Sequence, residues 1–323
     1  MSKAKVIVTR RWPTEVESQL KALYDVQLNE SDVPMTAEAL KHALQTADAL
    51  LSTVTDALTA EVLSVPNKRA KVIGQFGVGF NNIDIQAAKA QGITVTNTPH
   101  VLTDCTADIA MLLLLMSARR ASEGERMVRS GQWTGWTPTQ LMGQKVTGKT
   151  LGLIGFGRIA QAMAKKAHHG FDMNILFYVP STPEQHIVDD LKAIRCASVE
   201  ELLAQSDFVA LHCPSNPATK HLINKDRLKL MRPTAHLINT ARGDVVDSLA
   251  LIKALRENWI AGAGLDVYEG EPQLNPEFLG LNNVALLPHI GSASHETRIA
   301  MGNRVLSNIA EFFAGAEPSD KVV

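Results

Sequence analysis

Short apolar runs alternate with amphipathic stretches along most of the chain. KVIVTR at residues 5–10 opens as a strand, and helical spacing follows near 14–24 and 36–46. ADALLST near 47–53, AKVIGQF near 70–76 and ITVTNTP at 93–99 read as further strands, the last stopped by Pro99. Helical stretches between most of these runs predict a parallel sheet covered on both faces. A long helical pattern spans 104–130, beginning near Thr103 or Asp104 and carrying the apolar run IAMLLLLMSA at 109–118. The segment GQWTGWTPTQLMG is dense in Gly, Trp, Thr and Pro and reads as a crossing loop.

A second series starts at Lys149. Its predicted strands are TLGLIG, MNILFY, FVALHC, AHLINTA, GAGLDV and VALLPH, with helices at 158–168, 198–204, 224–230 and 245–257. That order is doubly wound. A last helix near 294–314 has no strand of its own, and periodicity does not say where it packs. Two similar halves, changing over near 98–103, predict two α/β domains.

Length agrees with that division, since 323 residues exceed one comfortable core. Hydrophobic residues make up 45% and charged residues 20%, and the formal net charge is -1. Such a balance lacks the basic footprint that nucleic acids or anionic membranes demand, so neither is expected as a partner. The longest apolar run is about half what a bilayer crossing needs. MSKAKVIVTRRW enters a strand directly, with no apolar signal segment. Cys105, Cys196 and Cys213 show no paired spacing, which argues against a disulfide scaffold or structural zinc and for a reducing compartment. The expected location is the cytoplasm.

Candidate chemistry begins at the strand TLGLI. It delivers the chain into Gly155, Phe156, Gly157, Arg158, Ile159 and Ala160, a GxGxxA form of the dinucleotide turn. Gly155 permits the turn, Gly157 leaves room for a pyrophosphate, and Ala160 lets helix pack on strand. The helix start then offers free N–H groups and partial positive charge. The predicted architecture is therefore Rossmann-like in both halves. An acid should follow about 20 residues on, at the next strand end, to hold the ribose hydroxyls. There the chain reads Tyr178, Val179, Pro180, Ser181, Thr182, with no carboxylate; Asp172 lies at the wrong end of the strand. Its absence removes a contact for NAD and a repulsion against NADP. Ser181 and Thr182 can donate to the extra phosphate, though no arginine, the stronger partner, stands in that segment. NADP(H) is favoured, with NAD(H) as the alternative.

Three more predicted strand ends carry polar residues, at the edge where open α/β sheets bind ligands. They are Arg242, then Asp266 with Glu269 and Glu271 beyond it, then His289. Gathered around a nicotinamide, the arginine would hold a carboxylate, the histidine would move a proton, and an acid would orient it. Taken singly, each has a plainer reading as a surface arginine, a solvated acid or a structural histidine. Metal chemistry is weakly supported, because neither His212–Cys213 nor His168–His169 has a third ligand at usual spacing. Cys213 as a nucleophile toward an aldehyde is a further alternative.

The run GVGFNNIDIQAAKAQGITVTNTPHVLTDCTADIAMLLLL, then GQWTGWTP, GLIGFGRIAQAMAKKA, LHCPSNPATKHLIN, NTARGDVVD, AGLDVYEGEP and LPHIGSAS occur in that order. This set resembles the D-isomer-specific 2-hydroxyacid dehydrogenases, most closely their glyoxylate/hydroxypyruvate reductase branch. The resemblance implies that Arg242 binds the substrate carboxylate and carbonyl, that His289 transfers the proton, and that Glu271, not Glu269, is its partner. It implies carboxylate contacts from the backbone of Val78 and Gly79. It also implies that Trp136 enters the site of a neighbouring subunit, and hence a homodimer. Cys213, Pro214, Thr240, Asp266, His289 and Gly291 join the glycine turn along the cofactor, with Asp266 near the nicotinamide. The last helix would return to the first domain, leaving a discontinuous substrate domain at 1–98 and 292–323 and a dinucleotide-binding domain at 99–291. The implied reaction is reduction of glyoxylate or hydroxypyruvate by NADPH. Alternatives are a dehydrogenase for a bulkier D-2-hydroxy acid and a nonenzymatic nucleotide-sensing regulator. Formate oxidation is disfavoured, because relatives that perform it carry glutamine where Glu271 stands. The chain departs from the family at Tyr178–Ser181, which lacks both the aspartate and the arginine, and at Cys105, where a small or hydroxyl residue is usual.

Overall fold

Residues 3–323 are described in the computed structural model, and their contacts divide into two units: residues up to Leu102 with Ser292–Val323, and Thr103–Gly291. Each sheet is built from parallel strands.

In the first unit the strands are β1 (Lys5–Val8), β2 (Asp25–Leu28), β3 (Ala49–Thr53), β4 (Val72–Phe76) and β5 (Thr94–Thr96). Their order across the sheet is β2-β1-β3-β4-β5. β3 and β4 are buried nearly throughout, which is why they read as unbroken apolar runs. β2 alternates exposed and partly buried residues along DVQL, an alternation of only four residues that is too short to predict an edge strand. Helices α1 (Thr14–Leu23), α2 (Ala37–Thr46), α3 (Ala60–Leu63) and α4 (Ile85–Ala90) connect the strands. Thr36, Thr59 and Asp84 cap the last three by accepting from amides of the first turn.

α12 (His295–Phe313) completes this unit and answers the question that periodicity left open. A Cβ on Gly74 of β4 would lie 2.5 Å from the Val305 side chain, so the bare glycine lets this helix press against the strand. The Asn308 side chain, buried on α12, donates to the carbonyl of Asn97 at 3.1 Å. The chain end then returns to β5, where the Val95 amide donates to Val323 O at 3.0 Å.

The second unit orders its strands β12-β11-β10-β9-β6-β7-β8. These are β6 (Thr150–Ile154), β7 (Asn174–Tyr178), β8 (Ile194–Arg195), β9 (Phe208–Leu211), β10 (His236–Asn239), β11 (Gly262–Leu265) and β12 (Val284–Leu286). Their helices are α7 (Arg158–Phe171), α8 (Gln185–Asp190), α9 (Val199–Gln205), α10 (Lys225–Leu230) and α11 (Ser248–Arg256). The single helix expected over 104–130 is two, α5 (Thr103–Ala118) and α6 (Ala121–Arg129). Arg120 takes a left-handed φ of 53°, and the Gln144 amide donates to Ala118 O at 2.7 Å, ending α5 where the apolar run itself ends. Among the described residues no helix is long and apolar enough to cross a membrane.

Candidate active site

At the carboxyl end of β6 the glycine turn forms as its residues require. Gly155 has φ of 90°, and a Cβ there would stand 2.8 Å from backbone atoms of His212 and Cys213. Gly157, by contrast, faces open space within 4 Å. It precedes α7 without any side-chain cap, so the first amides of that helix remain available to an anion. Thr240, just past β10, has a buried hydroxyl with no partner. An open turn, uncapped amides and an orphaned hydroxyl on one sheet edge fit a dinucleotide.

Arg242 follows β10 through a turn clamped by Asn239. That side chain donates to Arg242 O at 2.9 Å and accepts from the Ala241 amide at 3.0 Å. The side chain is half-buried, and its one protein acceptor is Ala241 O at 2.7 Å. Among the described residues no carboxylate forms an ion pair with it. Burial pulls its pKa below the ordinary arginine value, while the charges of Glu271 and Asp244 oppose that pull. A half-buried cation without a carboxylate partner carries a desolvation cost, and a bound anion offsets it. Gly243 is tightly constrained, since a Cβ there would collide with the backbone of Tyr268 and Glu269. That close approach sets the Arg242 turn directly against the loop bearing Glu271.

His289 Nδ1 lies 2.7 Å from Glu271 Oε2, and both side chains are about one-third exposed, at 35% and 32%. The Tyr268 amide donates to the other oxygen of Glu271 at 2.7 Å. Burial alone would raise the Glu271 pKa; the bond to His289, the Tyr268 amide and the Arg242 charge outweigh it and hold the carboxyl below its ordinary range. His289 itself sits at φ 55°, in the left-handed region. That conformation is fixed by Asp266, whose two carboxylate oxygens accept the amides of Ile290 and Gly291, each at 2.7 Å. Asp266 is thus engaged in holding the histidine turn, a role the sequence did not suggest. Phe156 is buried and stacks on Phe177 at 4.1 Å, so its side chain serves the core beside the turn.

The Cys213 thiol is pushed up to about 11 by burial, and His212 is pulled down to about 4 for the same reason, its Nε2 lying 3.2 Å from Met163 Sδ. A protonated thiol beside a neutral imidazole opposes the aldehyde-nucleophile alternative. Glu269, the other acid of the loop, contacts His221 Nε2 at 2.8 Å instead. Trp136 is 79% exposed in the loop after α6. On the first unit, Asn97 Nδ2 donates to Val78 O at 2.8 Å and Gln75 Nε2 to Gly79 O at 3.2 Å. Those bonds engage the loop carbonyls, and among the described residues the Val78 and Gly79 amides donate to nothing.

Sequence reasoning missed one charged residue at the cofactor edge. Arg195 ends β8, paired beside β7, and its Nη2 donates to Val179 O at 2.8 Å and Ser181 O at 3.2 Å. An arginine on the neighbouring strand thus stands against the segment after β7, a contact that only strand pairing reveals.

The family model for "D-isomer specific 2-hydroxyacid dehydrogenase, NAD binding domain" matches residues 111–291. The chain belongs to the D-isomer-specific 2-hydroxyacid dehydrogenase family. A glyoxylate reductase from Thermococcus litoralis is 46% identical over 99% of this chain and 97% of its own. A glycerate dehydrogenase from Hyphomicrobium methylovorum is 40% identical over 99% of both. The structure of an NADPH-dependent glyoxylate/hydroxypyruvate reductase from Sinorhizobium meliloti, in complex with NADP and malonate, superposes with a TM-score of 0.88. That protein is 31% identical, covering 100% of this chain and 97% of its own. As a 2-hydroxyacid dehydrogenase the chain is an oxidoreductase working with NAD(P), and its second unit contains the family's NAD-binding domain.

Proposed function

We propose that the chain reduces glyoxylate or hydroxypyruvate to the corresponding 2-hydroxy acid, with NADPH as the favoured coenzyme and NADH as the alternative. The observation that carries this is a half-buried guanidinium without a carboxylate partner, set against the loop whose glutamate holds a histidine. Arg242 binds the carboxylate of the 2-oxo acid through its fork and polarises the adjacent carbonyl oxygen. When bound, the nicotinamide supplies the hydride. His289, with Nδ1 committed to Glu271, presents Nε2 and gives its proton to the oxygen that becomes the alcohol. Glu271 holds the ring in place through its contact with Nδ1. Asp266 keeps the histidine turn from drifting, since even small misplacement of a proton donor slows transfer.

The names of the relatives, glyoxylate reductase and glycerate dehydrogenase among them, support the substrate class. The free amides of Val78 and Gly79 are suited to a carboxylate as well. The reading includes a homodimer, supported by exposed apolar side chains around the crossing loop: Val128, Trp133, Trp136 and Met142. Sedimentation at a single-chain mass across micromolar concentrations would remove that part. It also places the protein in the cytoplasm, where its three free thiols are stable. Fractionation with an extracytoplasmic marker would remove that. Steady-state kinetics with NADPH and NADH, against glyoxylate, hydroxypyruvate, pyruvate and phenylpyruvate, test the activity. Turnover of the two small acids ahead of phenylpyruvate is expected. Coenzyme binding without turnover of any 2-oxo acid would overturn the reading in favour of a nucleotide sensor.

A further inference from the structure

We propose that Arg195 is the cationic seat for a phosphomonoester on the adenosine ribose of the coenzyme. The inference rests on the reading that this chain binds a nicotinamide dinucleotide at the glycine turn, and it names the residue that chooses between the two forms.

Three observations converge. First, the register pairs Phe177 of β7 with Arg195 of β8, so the guanidinium emerges beside the strand end where the coenzyme's ribose edge is read. Second, the chain after β7 curls around this group, with the carbonyls of Val179, Ser181 and Pro180 at 2.8, 3.2 and 3.5 Å from one nitrogen, Nη2. The other guanidinium nitrogens, Nε and Nη1, bond to nothing among the described residues. Arg195 also makes no ion pair there, whereas Arg227 and Arg232 on the same unit each hold a carboxylate. Third, a cavity of about 420 Å³ opens at this place, lined by Tyr178, Val179, Pro180, Arg195, Cys196 and Ala197. Arg195 is the one charged residue in that lining. A nearby acid, Glu201, accepts from the Ala197 amide at 2.7 Å and is not part of the wall.

The arrangement suits an anion and discriminates. A coenzyme with free ribose hydroxyls would want a carboxylate acceptor here, and none lines the cavity. A phosphate brings acceptor oxygens and a charge of about -1.5 to -2 at neutral pH, which a planar guanidinium with two uncommitted nitrogens matches. The contacts through Nη2 pre-position the group, so little side-chain freedom is lost on binding.

Isothermal titration with adenosine 2′,5′-bisphosphate and with 5′-AMP tests the seat without any turnover. The wild-type protein is expected to bind the bisphosphate at least about 10-fold more tightly than 5′-AMP, as a charge-assisted bidentate pair predicts. Arg195→Gln should weaken the bisphosphate by about 10- to 100-fold and change 5′-AMP by less than about threefold. Arg195→Lys, which keeps the charge but not the fork, should fall between them. Equal loss of both ligands in Arg195→Gln would show that Arg195 only braces the turn. A preference that survives Arg195→Gln would assign the seat to other residues, and equal wild-type affinities would mean there is no such seat. Each of these overturns the proposal. The reductase reading fails separately, if a protein with the expected preference turns over no 2-oxo acid.

Discussion

One loop, Tyr268 to Pro272, carries two glutamates, and each meets a histidine. Glu271 lies 2.7 Å from His289, and Glu269 lies 2.8 Å from His221. The two contacts are alike in length and nearly alike in exposure, 35% and 32% against 40% and 37%. Their surroundings differ. Glu271 stands within electrostatic reach of the half-buried Arg242, and the turn after its histidine is held by the amides of Ile290 and Gly291 on Asp266. Glu269 has Ser248 as its further partner, and the His221 amide is tied to Asp244 O at 2.8 Å. A histidine–carboxylate contact is therefore weak evidence of catalysis in itself. What separates the pairs is a neighbouring cation with no anion of its own.

The largest effect should come from the first pair. His289→Asn is expected to lower kcat by about 10²–10⁴-fold, because the proton donor is removed. An unchanged kcat would take His289 out of the mechanism. Stability provides a second contrast. Glu271 has its carboxyl pKa depressed, so its ionised form stabilises the fold above the unfolded value of about 4.3, and that contribution is lost as pH falls through the folded value. The Tm of the wild type should exceed that of Glu271→Gln near neutral pH, and the gap should close as the pH drops below about 4. A gap independent of pH would mean that the carboxylate is not held as described. The smallest effect belongs to the second pair. For His221→Asn we expect kcat within about threefold of wild type and a stability change of about 0–1 kcal/mol, as for other exposed ion pairs. A loss as large as that of His289→Asn would erase the distinction between the pairs.

Much of the fold was legible because its central strands are buried on both faces and so announce themselves as apolar runs. β3, β4, β6 and β9 are of this kind. The edge strands β2 and β8 were not: β2 alternates polar and apolar over only four residues, and β8 is two exposed residues. The break between α5 and α6 was hidden for a related reason. Helical spacing continues across it, and the break is made by the left-handed Arg120, a residue type that signals no turn, and by the distant Gln144 amide on Ala118 O. At the site, the glycine turn and the strand-end positions of Arg242 and His289 could be read from residues alone. The choice of Glu271 over Glu269 could not, because both lie within the same few residues and only the resemblance separated them. Arg195 was invisible for the same reason as the helix break: it reaches its loop through the sheet rather than along the chain.

Arg242, as an anion-binding cation, is the residue on which the proposed chemistry depends most. The direct measurement is kcat/KM for the 2-oxo acid alongside the dissociation constant of NADPH, in wild type and Arg242→Ala. A fall of about 10²–10³-fold in kcat/KM, with coenzyme binding within about threefold, is predicted for loss of a buried charged contact to substrate. Equal losses in substrate use and coenzyme binding, or no loss in either, would contradict it.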